Sequence, residues 1–457
     1  MALTGNDILE ATGGRLLQGD PGISVAGFSI DTRRITPGNF FVPLVGERED
    51  GHRYVPEALA KGAAGSFYAQ PSPPAFPASS LIIGVEDTLA ALQKLARAYR
   101  RRFKLPVVAI TGSSGKTTTK DLVGSVLRVS RRVLVTPGNL NNEIGLPLTL
   151  LTLDRQHQVA VVEMGMSAPG EIATLARIAS PRVGIITNVG PAHLEQLGSL
   201  TGVAAAKEEL LEHLGRQGVA ILNGDDPLVR KMGERFPGKS YYYGFSNGDF
   251  QARDWAFAGG VNRFKVCFPG GQVYPFELAL PGRHMVSNAL AAIAVGSLFG
   301  LTPAQIAGGI AGCSFTGGRL QLRQAGKLTI IDDSYNANPA SMKASLQVLK
   351  ELGGSKTVAV LGDMLELGPV ARRAHREAGR FAARRGVPYV ITVGELAGEM
   401  AAGARAEGAK TYACRDCREA FQALLGLPLG EGWHILVKGS RGMKMEQLVS
   451  SLLELKS

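Results

Sequence analysis

The stretch VVAITGSSGKTTTKD, residues 107–121, carries the most specific chemistry in this chain. An apolar run ends at Thr111, the turn Gly112-Ser113-Ser114-Gly115 follows, and Lys116, Thr117 and Thr118 open a helical pattern. In a strand–turn–helix of this kind, backbone N–H groups and the positive helix end can cradle phosphates. Lys116 would reach the β- and γ-phosphates, and the Thr117 hydroxyl would ligate Mg2+. The general Gly-x4-Gly-Lys-Thr pattern asks for glycine at position 110, where Ile110 stands, so the loop is a shortened version.

Other strand-like runs also end in polar residues. VAVVEMGMSAPGEI places Glu163 where a carboxylate could hold the metal opposite the phosphate loop. VGIITNVGPAHLEQLGS repeats the form, a strand and then a loop with Asn188, His193 and Glu195, His193 being either a metal or phosphate contact or a surface histidine. In SLTGVAAAKEELLEHLG, Lys207 shares a helical face with Leu200, Val203, Leu210 and Leu214. An ammonium on an apolar stripe is expensive. Two readings resolve it: the head snorkels to water, or a neutral amine reacts with CO2 to give an anionic carbamate ligand. Composition does not choose between them.

Further on, PGRHMVSNALAAIAV puts Asn288 at the head of a helix, and TGGRLQ offers Arg319. IIDDSYNANPASM ends a strand with Asp332 and Asp333, followed by Asn336 and Asn338, although Asx-rich turns also arise for local reasons. Asp363 ends another strand, and Lys438, Ser440 and Arg441 a third. Such strand ends suggest a binding edge facing the phosphate loop.

These residues need a scaffold of strands alternating with helices, which implies α/β sheets that are mostly parallel and covered on both faces. The chain of 457 residues exceeds one ordinary core. We expect three domains: 1–85, closing near the proline-rich QPSPPAFPASS; 86–314, carrying the phosphate loop; and 315–457, where the alternation restarts. Hydrophobic residues at 45% and charged residues at 19% exclude global disorder. The formal charge of +11 favours anionic partners without choosing one. Only YRRRFK, at 99–104, approaches a nucleic-acid patch, and its helical position reads as a solvated face. Cys414 and Cys417 form a lone Cys-x-x-Cys, for zinc or redox use or as two reduced thiols. The N-terminus lacks signal-peptide features, and the longest apolar stretch, 288–301, is short of a membrane span. A cytoplasmic chain without membrane insertion is expected.

Taken together, TGSSGKTTTK, GNLNNEIGLPLTLL, DDSYNANPASM, LGDMLELG and VKGSRGMKMEQLV resemble the ATP-dependent Mur ligases of peptidoglycan synthesis. DTRRITPGNFFVPLVGEREDGHRYVPEALAKGAAG resembles the segment by which some of them recognise a UDP-sugar. The resemblance covers nearly the whole chain. It implies an N-terminal UDP-substrate domain, a central P-loop ATPase domain and a C-terminal Rossmann-like domain that binds dipeptide and closes. The implied activity is addition of D-alanyl-D-alanine to UDP-N-acetylmuramoyl-tripeptide, using ATP and two Mg2+ ions, by a monomer that binds no nucleic acid.

Residue by residue, the resemblance gives Thr111, Gly112, Ser113, Ser114, Gly115, Lys116, Thr117 and Thr118 to the ATP phosphates, with Thr117 and Glu163 on a first Mg2+. His193 and a carbamylated Lys207 would serve a second ion. Lys116, Lys207, His193 and Asn142 are the implied catalytic set. Asn288 would contact adenine, and Arg319 and Asp333 would close over the nucleotide. Asp31, Thr32, Arg33, Gly51 and His52 would bind the UDP-sugar-peptide. Asn336, Asn338, Lys438, Ser440 and Arg441 would bind substrate from the third domain. Competing readings are another amide ligase of this superfamily, such as the diaminopimelate-adding enzyme or a folylpolyglutamate synthase; a nucleic-acid-binding P-loop ATPase; or an interaction protein with a degenerate nucleotide site. The absence of an Asp-Asn-Pro-Arg sequence and the Asn-rich DDSYNANP argue against the first of these.

Overall fold

The computed structural model describes residues 3–46, 49–71 and 74–455; Ser72 and Pro73 of the proline-rich stretch lie outside the described residues. Three larger sheets organise the chain. The N-terminal sheet has the order Arg15–Gln18, Leu81–Gly84, Gly65–Tyr68, Asn39–Phe41 and Gly27–Ser29, and only its first pair is antiparallel.

The central sheet is nine-stranded. Its parallel part runs Lys239–Gly244, Val219–Asn223, Val183–Ile186, Val107–Thr111, Val159–Glu163 and Val133–Val135. Every residue of Val107–Thr111 and Val159–Glu163 is buried, as strands covered on both faces require. Glu163 pairs in register with Ile110, so the carboxylate and the start of the phosphate loop emerge side by side at one sheet edge. The remaining three strands of the sheet are not legible from apolar runs. Phe250–Ala258, Val261–Cys267 and Val273–Leu278 form an antiparallel meander whose inner and outer residues alternate, so no continuous apolar run marks it. The last of these strands is the sheet's open edge.

The third sheet has the order Gln321–Ala325, Leu328–Asp333, His434–Lys438, Thr357–Gly362, Tyr389–Val393 and Lys410–Cys414, parallel after the first pair. The architecture is α/β in three domains, the central and third sheets being doubly covered.

Two apolar clusters join the domains. One packs helix Arg283–Leu298 and helix Lys116–Arg128 on the central sheet and continues to Ile331, Leu346 and Leu436 of the third domain. The other fills the opposite face and reaches Leu3, Phe40 and Phe67 in the N-terminal domain. Relative domain placement therefore follows from burial of apolar surface.

Several sequence expectations change. Asn288 does not head its helix, which begins at Arg283; it sits in the second turn, buried. Leu200 leaves the apolar face of helix Leu200–Glu212 and is exposed, while Val203 and Leu210 flank a buried Lys207. YRRRFK is not a solvated face throughout. Arg100 is buried, and its guanidinium donates to the carbonyls of Ala179 (3.1 Å), Phe103 (2.8 Å) and Leu105 (2.8 Å). It thus satisfies the last carbonyl of helix Glu171–Ala179 and two carbonyls in the loop that follows helix Thr88–Arg101. Cys414 ends one strand and Cys417 opens helix Cys417–Leu425, both as free thiols. No helix of the described residues is long and apolar enough to cross a membrane.

Removing the Arg100 clamp leaves three carbonyls unpaired. Arg100→Met is expected to destabilise the chain by about 3 kcal/mol, read as a lower urea midpoint.

Candidate active site

The phosphate loop is shaped by close backbone approaches. Gly112 has φ 147°, and a Cβ there would lie 1.9 Å from the Thr187 hydroxyl oxygen, so only glycine fits. Asn188 brackets Ser114, accepting from its N–H at 2.9 Å and donating to its carbonyl at 3.0 Å. The Thr187 hydroxyl donates to the same carbonyl at 2.6 Å. Helix Lys116–Arg128 starts after Gly115 with no side-chain cap, leaving its first N–H groups open toward the cleft. Lys116 Nζ donates to the Gly112 carbonyl at 2.7 Å; burial pushes its pKa down, and Glu163 opposes that shift.

Beside the loop, Thr117 Oγ1 donates to Glu163 Oε2 at 2.7 Å, and both residues are buried. Asn141 Nδ2 donates to the other carboxylate oxygen at 2.7 Å. The Glu163 N–H donates to Thr136 Oγ1 at 3.0 Å. Lys120, itself buried, donates to the carbonyls of Thr136 (3.0 Å) and Gly138 (3.3 Å) and fixes the segment that carries Asn141. A hydroxyl and a carboxylate are hard oxygen donors that suit Mg2+. No group of three His, Cys, Asp or Glu gathers among the described residues. That fits an ion which draws its other ligands from phosphates and water.

Lys207 is 2% exposed and has no hydrogen-bond or ion-pair partner among the described residues. Only a small part of the residue meets solvent, so snorkelling along its own stem gives the head little hydration. Burial, with the Lys116 charge adding to it, pushes its pKa well below the ordinary lysine value. His193 precedes the short helix Leu194–Leu197 with φ 53°, and its Nδ1 lies 2.6 Å from Glu366 Oε2. Glu195 points away, exposed.

The third domain forms the facing wall. Asp333 Oδ2 accepts from Lys438 Nζ and Ser345 Oγ, each at 2.5 Å, and Lys438 also donates to the Asn336 carbonyl at 2.9 Å. The Arg319 guanidinium lies over the Tyr335 ring at 4.2 Å, with its Nε unpartnered, and Arg441 lies 5.5 Å from the same ring. Asn338 caps helix Pro339–Gly353 and crosses to the phosphate loop, donating to Ser114 Oγ at 2.9 Å. The Ser440 hydroxyl accepts from the Leu365 N–H at 2.9 Å.

A cleft of about 590 Å3 lies between these walls. It brings together Ser113, Ser114, Gly115, Lys116, Thr117, Thr118, Asn142, Glu163, His193 and Asn288 with Arg319, Asp333, Asn336, Asn338, Lys438 and Arg441. Thr111, Gly112, Lys207 and Ser440 stand behind its surface. Asn142 Oδ1 accepts from the Gly145 N–H at 2.8 Å, whereas Asn141 is the residue on Glu163. Asn288 sits against the phosphate loop: a Cβ on Gly115 would lie 2.5 Å from its amide oxygen. Asp332 accepts from the Ser334 hydroxyl, and Asp363 supports a neighbouring loop, so neither lines the cleft.

Asp31, Thr32, Arg33, Gly51 and His52 are not brought to this cleft. Arg33 chelates Asp31 through Nε (2.9 Å) and Nη2 (2.8 Å) on the exposed N-terminal surface. His52 was expected to meet substrate, but both its ring nitrogens are engaged: Nδ1 lies 2.6 Å from Asp50 Oδ1, and Nε2 accepts from the Ala69 N–H at 3.0 Å. It braces the loop instead. Sequence reasoning missed Lys120, Asn141, His284 and Tyr335. Lys120 gave the same signal as Lys207, a lysine on a buried helical face. His284 lines the cleft near Asp333 and Lys438, and burial, opposed by Asp333 and helped to a lesser degree by Lys438, lowers its pKa to about 4.

Comparison with known proteins gives the class first. Residues 24–100 match the Mur ligase family catalytic domain, 110–296 the Mur ligase middle domain, and 318–441 the Mur ligase glutamate ligase domain. The chain belongs to the Mur ligase family. Within it, the chain is similar to the UDP-N-acetylmuramoyl-tripeptide–D-alanyl-D-alanine ligase of Bacillus subtilis, 41% identical over 94% of this chain and 93% of the relative. A crystal structure of MurF from Acinetobacter baumannii matches with TM-score 0.91 at 34% identity, covering 99% of both chains. MurF ligase from Thermotoga maritima in complex with ADP matches with TM-score 0.83 at 30% identity, covering 94% of this chain and 97% of the other.

His284 also makes stability pH-dependent. Between its ordinary value of 6.5 and about 4, the unfolded chain binds a proton at this site that the folded one refuses. Stability therefore falls as pH drops through that window. Urea midpoints at about pH 7 and about pH 5 are expected to differ less in His284→Gln than in the wild type.

Proposed function

We propose that this chain is an ATP-dependent amide ligase that adds D-alanyl-D-alanine to UDP-N-acetylmuramoyl-tripeptide, giving the pentapeptide, ADP and phosphate. The observation that carries the reading is the single cleft in which the phosphate loop and Glu163 face Arg319, Asp333 and Lys438 from the third domain. The full-length similarity to ligases of that name supports the choice of substrates.

A carboxylate does not form an amide until one of its oxygens becomes a good leaving group. In the proposed sequence a tripeptide carboxylate oxygen attacks the γ-phosphorus, and the bond to the ADP oxygen breaks. The D-alanyl-D-alanine amine then attacks the acyl carbon, and the tetrahedral intermediate expels phosphate as the amine loses its proton. Lys116 and the open N–H groups of helix Lys116–Arg128 offset charge on the transferring phosphoryl group. Arg319, whose Nε has no partner, supplies positive charge from the facing wall. Thr117 and Glu163 would hold Mg2+, which when bound neutralises phosphate charge. Asn288 sits where it can meet the nucleotide beside Gly115, and Asn336, Asn338, Lys438 and Arg441 flank the incoming dipeptide. Closure of the third domain excludes water from the acyl phosphate. The exposed Asp31–Arg33 surface is the proposed contact for the UDP-sugar, and the enzyme is proposed to act as a monomer.

Lys207 fits a carbamate for a physical reason. Its buried amine has no acceptor among the described residues, and burial pushes its pKa down, which favours the neutral form that attacks CO2. The resulting anion, after loss of one proton, would sit near the Lys116 cation that disfavours a charged Lys207. His193 and this carbamate are the proposed holders of a second ion.

Phosphate release with ATP and Mg2+ is expected only when tripeptide and D-alanyl-D-alanine are both present, with pentapeptide detected by mass. Release with neither, or no product from folded protein that binds ATP, refutes the substrate assignment. Lys207→Ala is expected to be nearly inactive and partly restored by short-chain carboxylates; normal turnover would remove the carbamate.

A further inference from the structure

The contact between His193 and Glu366 joins two domains. His193 lies in the loop after the central strand Val183–Ile186, and Glu366 in the loop after the third-domain strand Thr357–Gly362. Both residues adopt left-handed backbone, φ 53° and 63°, which non-glycine residues rarely do and which is strained. Next to them the loops touch: a Cβ on Gly368 would lie 3.4 Å from Glu195 Cα. Strain at both partners of one contact indicates that the surrounding structure holds them there.

The loop that presents Glu366 is braced at each preceding residue. The Asp363 N–H donates to the Val393 carbonyl at 3.1 Å. The Met364 N–H donates to His375 Nε2 at 2.9 Å, and the fully buried His375 uses its other nitrogen, Nδ1, on the Ala371 carbonyl at 2.7 Å. The Leu365 N–H donates to Ser440 Oγ at 2.9 Å. Met364 and Leu367 are buried on either side, whereas the Glu366 side chain is 60% exposed. The carboxylate is therefore held out from a rigid loop rather than packed into it.

The 2.6 Å approach to His193 Nδ1 is within hydrogen-bond distance, though off the ideal direction, and it holds the Glu366 carboxyl below its ordinary value. A carboxylate at Nδ1 favours the tautomer with its proton there and leaves Nε2 as the free nitrogen of a residue that lines the cleft.

We propose that Glu366 is a positioning residue for His193, delivered by the third domain when it lies closed on the central one, so that domain closure orients the imidazole. Its kinetic consequence rests on the ligase reading; the contact itself does not. Closure and site assembly are then one event: a chain with its third domain displaced would keep the phosphate loop and lose the oriented histidine.

The test combines rates with a direct signal. Glu366→Ala is expected to lower kcat roughly 10–100-fold, with KM for ATP within about twofold and the melting temperature unchanged. Glu366→Gln, which keeps an acceptor, should recover part of the loss. In a His193→Ala background, Glu366→Ala should add no more than about a twofold loss, because its route through His193 is gone. The ring resonance of His193, recognised by its absence in His193→Ala, should move in Glu366→Ala. An equal fold-loss in both backgrounds, or an unmoved ring resonance, overturns the proposal. If the wild type makes no pentapeptide, the ligase reading falls, and the resonance alone decides the contact.

Discussion

The buried hydrogen bond between Thr117 and Glu163 is the constraint around which the site is organised. It joins the first turn of helix Lys116–Arg128 to the end of strand Val159–Glu163. That meeting requires two parallel strands in the register that sets Glu163 beside Ile110. Parallel neighbours need long crossovers, and those crossovers are the helices that cover both faces of the sheet. Asn141 then holds the carboxylate from its far side, Thr136 accepts from the Glu163 N–H, and Lys120 ties down the Thr136 carbonyl. A carboxylate at 2% exposure is tolerable because each of its oxygens has a donor, Thr117 on one and Asn141 on the other.

The two walls of the cleft come from different sheets, yet they are built alike. In each, strands end in polar residues and the chain turns at once into a helix whose N-terminus faces the opening: Gly115 before Lys116–Arg128 on one side, Asn338 before Pro339–Gly353 on the other. Asn338 spends its oxygen on its own helix and its amide nitrogen on Ser114 Oγ, so one side chain serves both local structure and domain contact. The apolar cluster shared by these domains lies behind that contact.

What the sequence made legible follows from periodicity. The runs VVAI, VAVV, VGIIT and VAIL are strands because both their faces are buried, and buried strands read as continuous apolar segments. The meander from Phe250 to Leu278 alternates and escaped that criterion. Lys116, Thr117 and Glu163 could be placed because each lies next to a strand end. Asn141, His284 and Glu366 could not, because their importance depends on partners 22 or more residues away or in another domain. The bracing contact of His52 was hidden for the same reason: Ala69, which occupies its second nitrogen, is 17 positions distant. Lys207 was half legible, since an apolar stripe shows burial but not the absence of an acceptor.

The meander also decides where the sheet stops. Its outermost strand, Val273–Leu278, leaves one side without a partner, and an open edge of that kind is a template on which another chain can add a strand. Pro275 stands in its middle, opposite Lys265, and has no N–H to offer. On this side the nine-stranded sheet therefore ends in a strand poorly suited to recruiting a tenth, which guards the molecule against edge-to-edge association there.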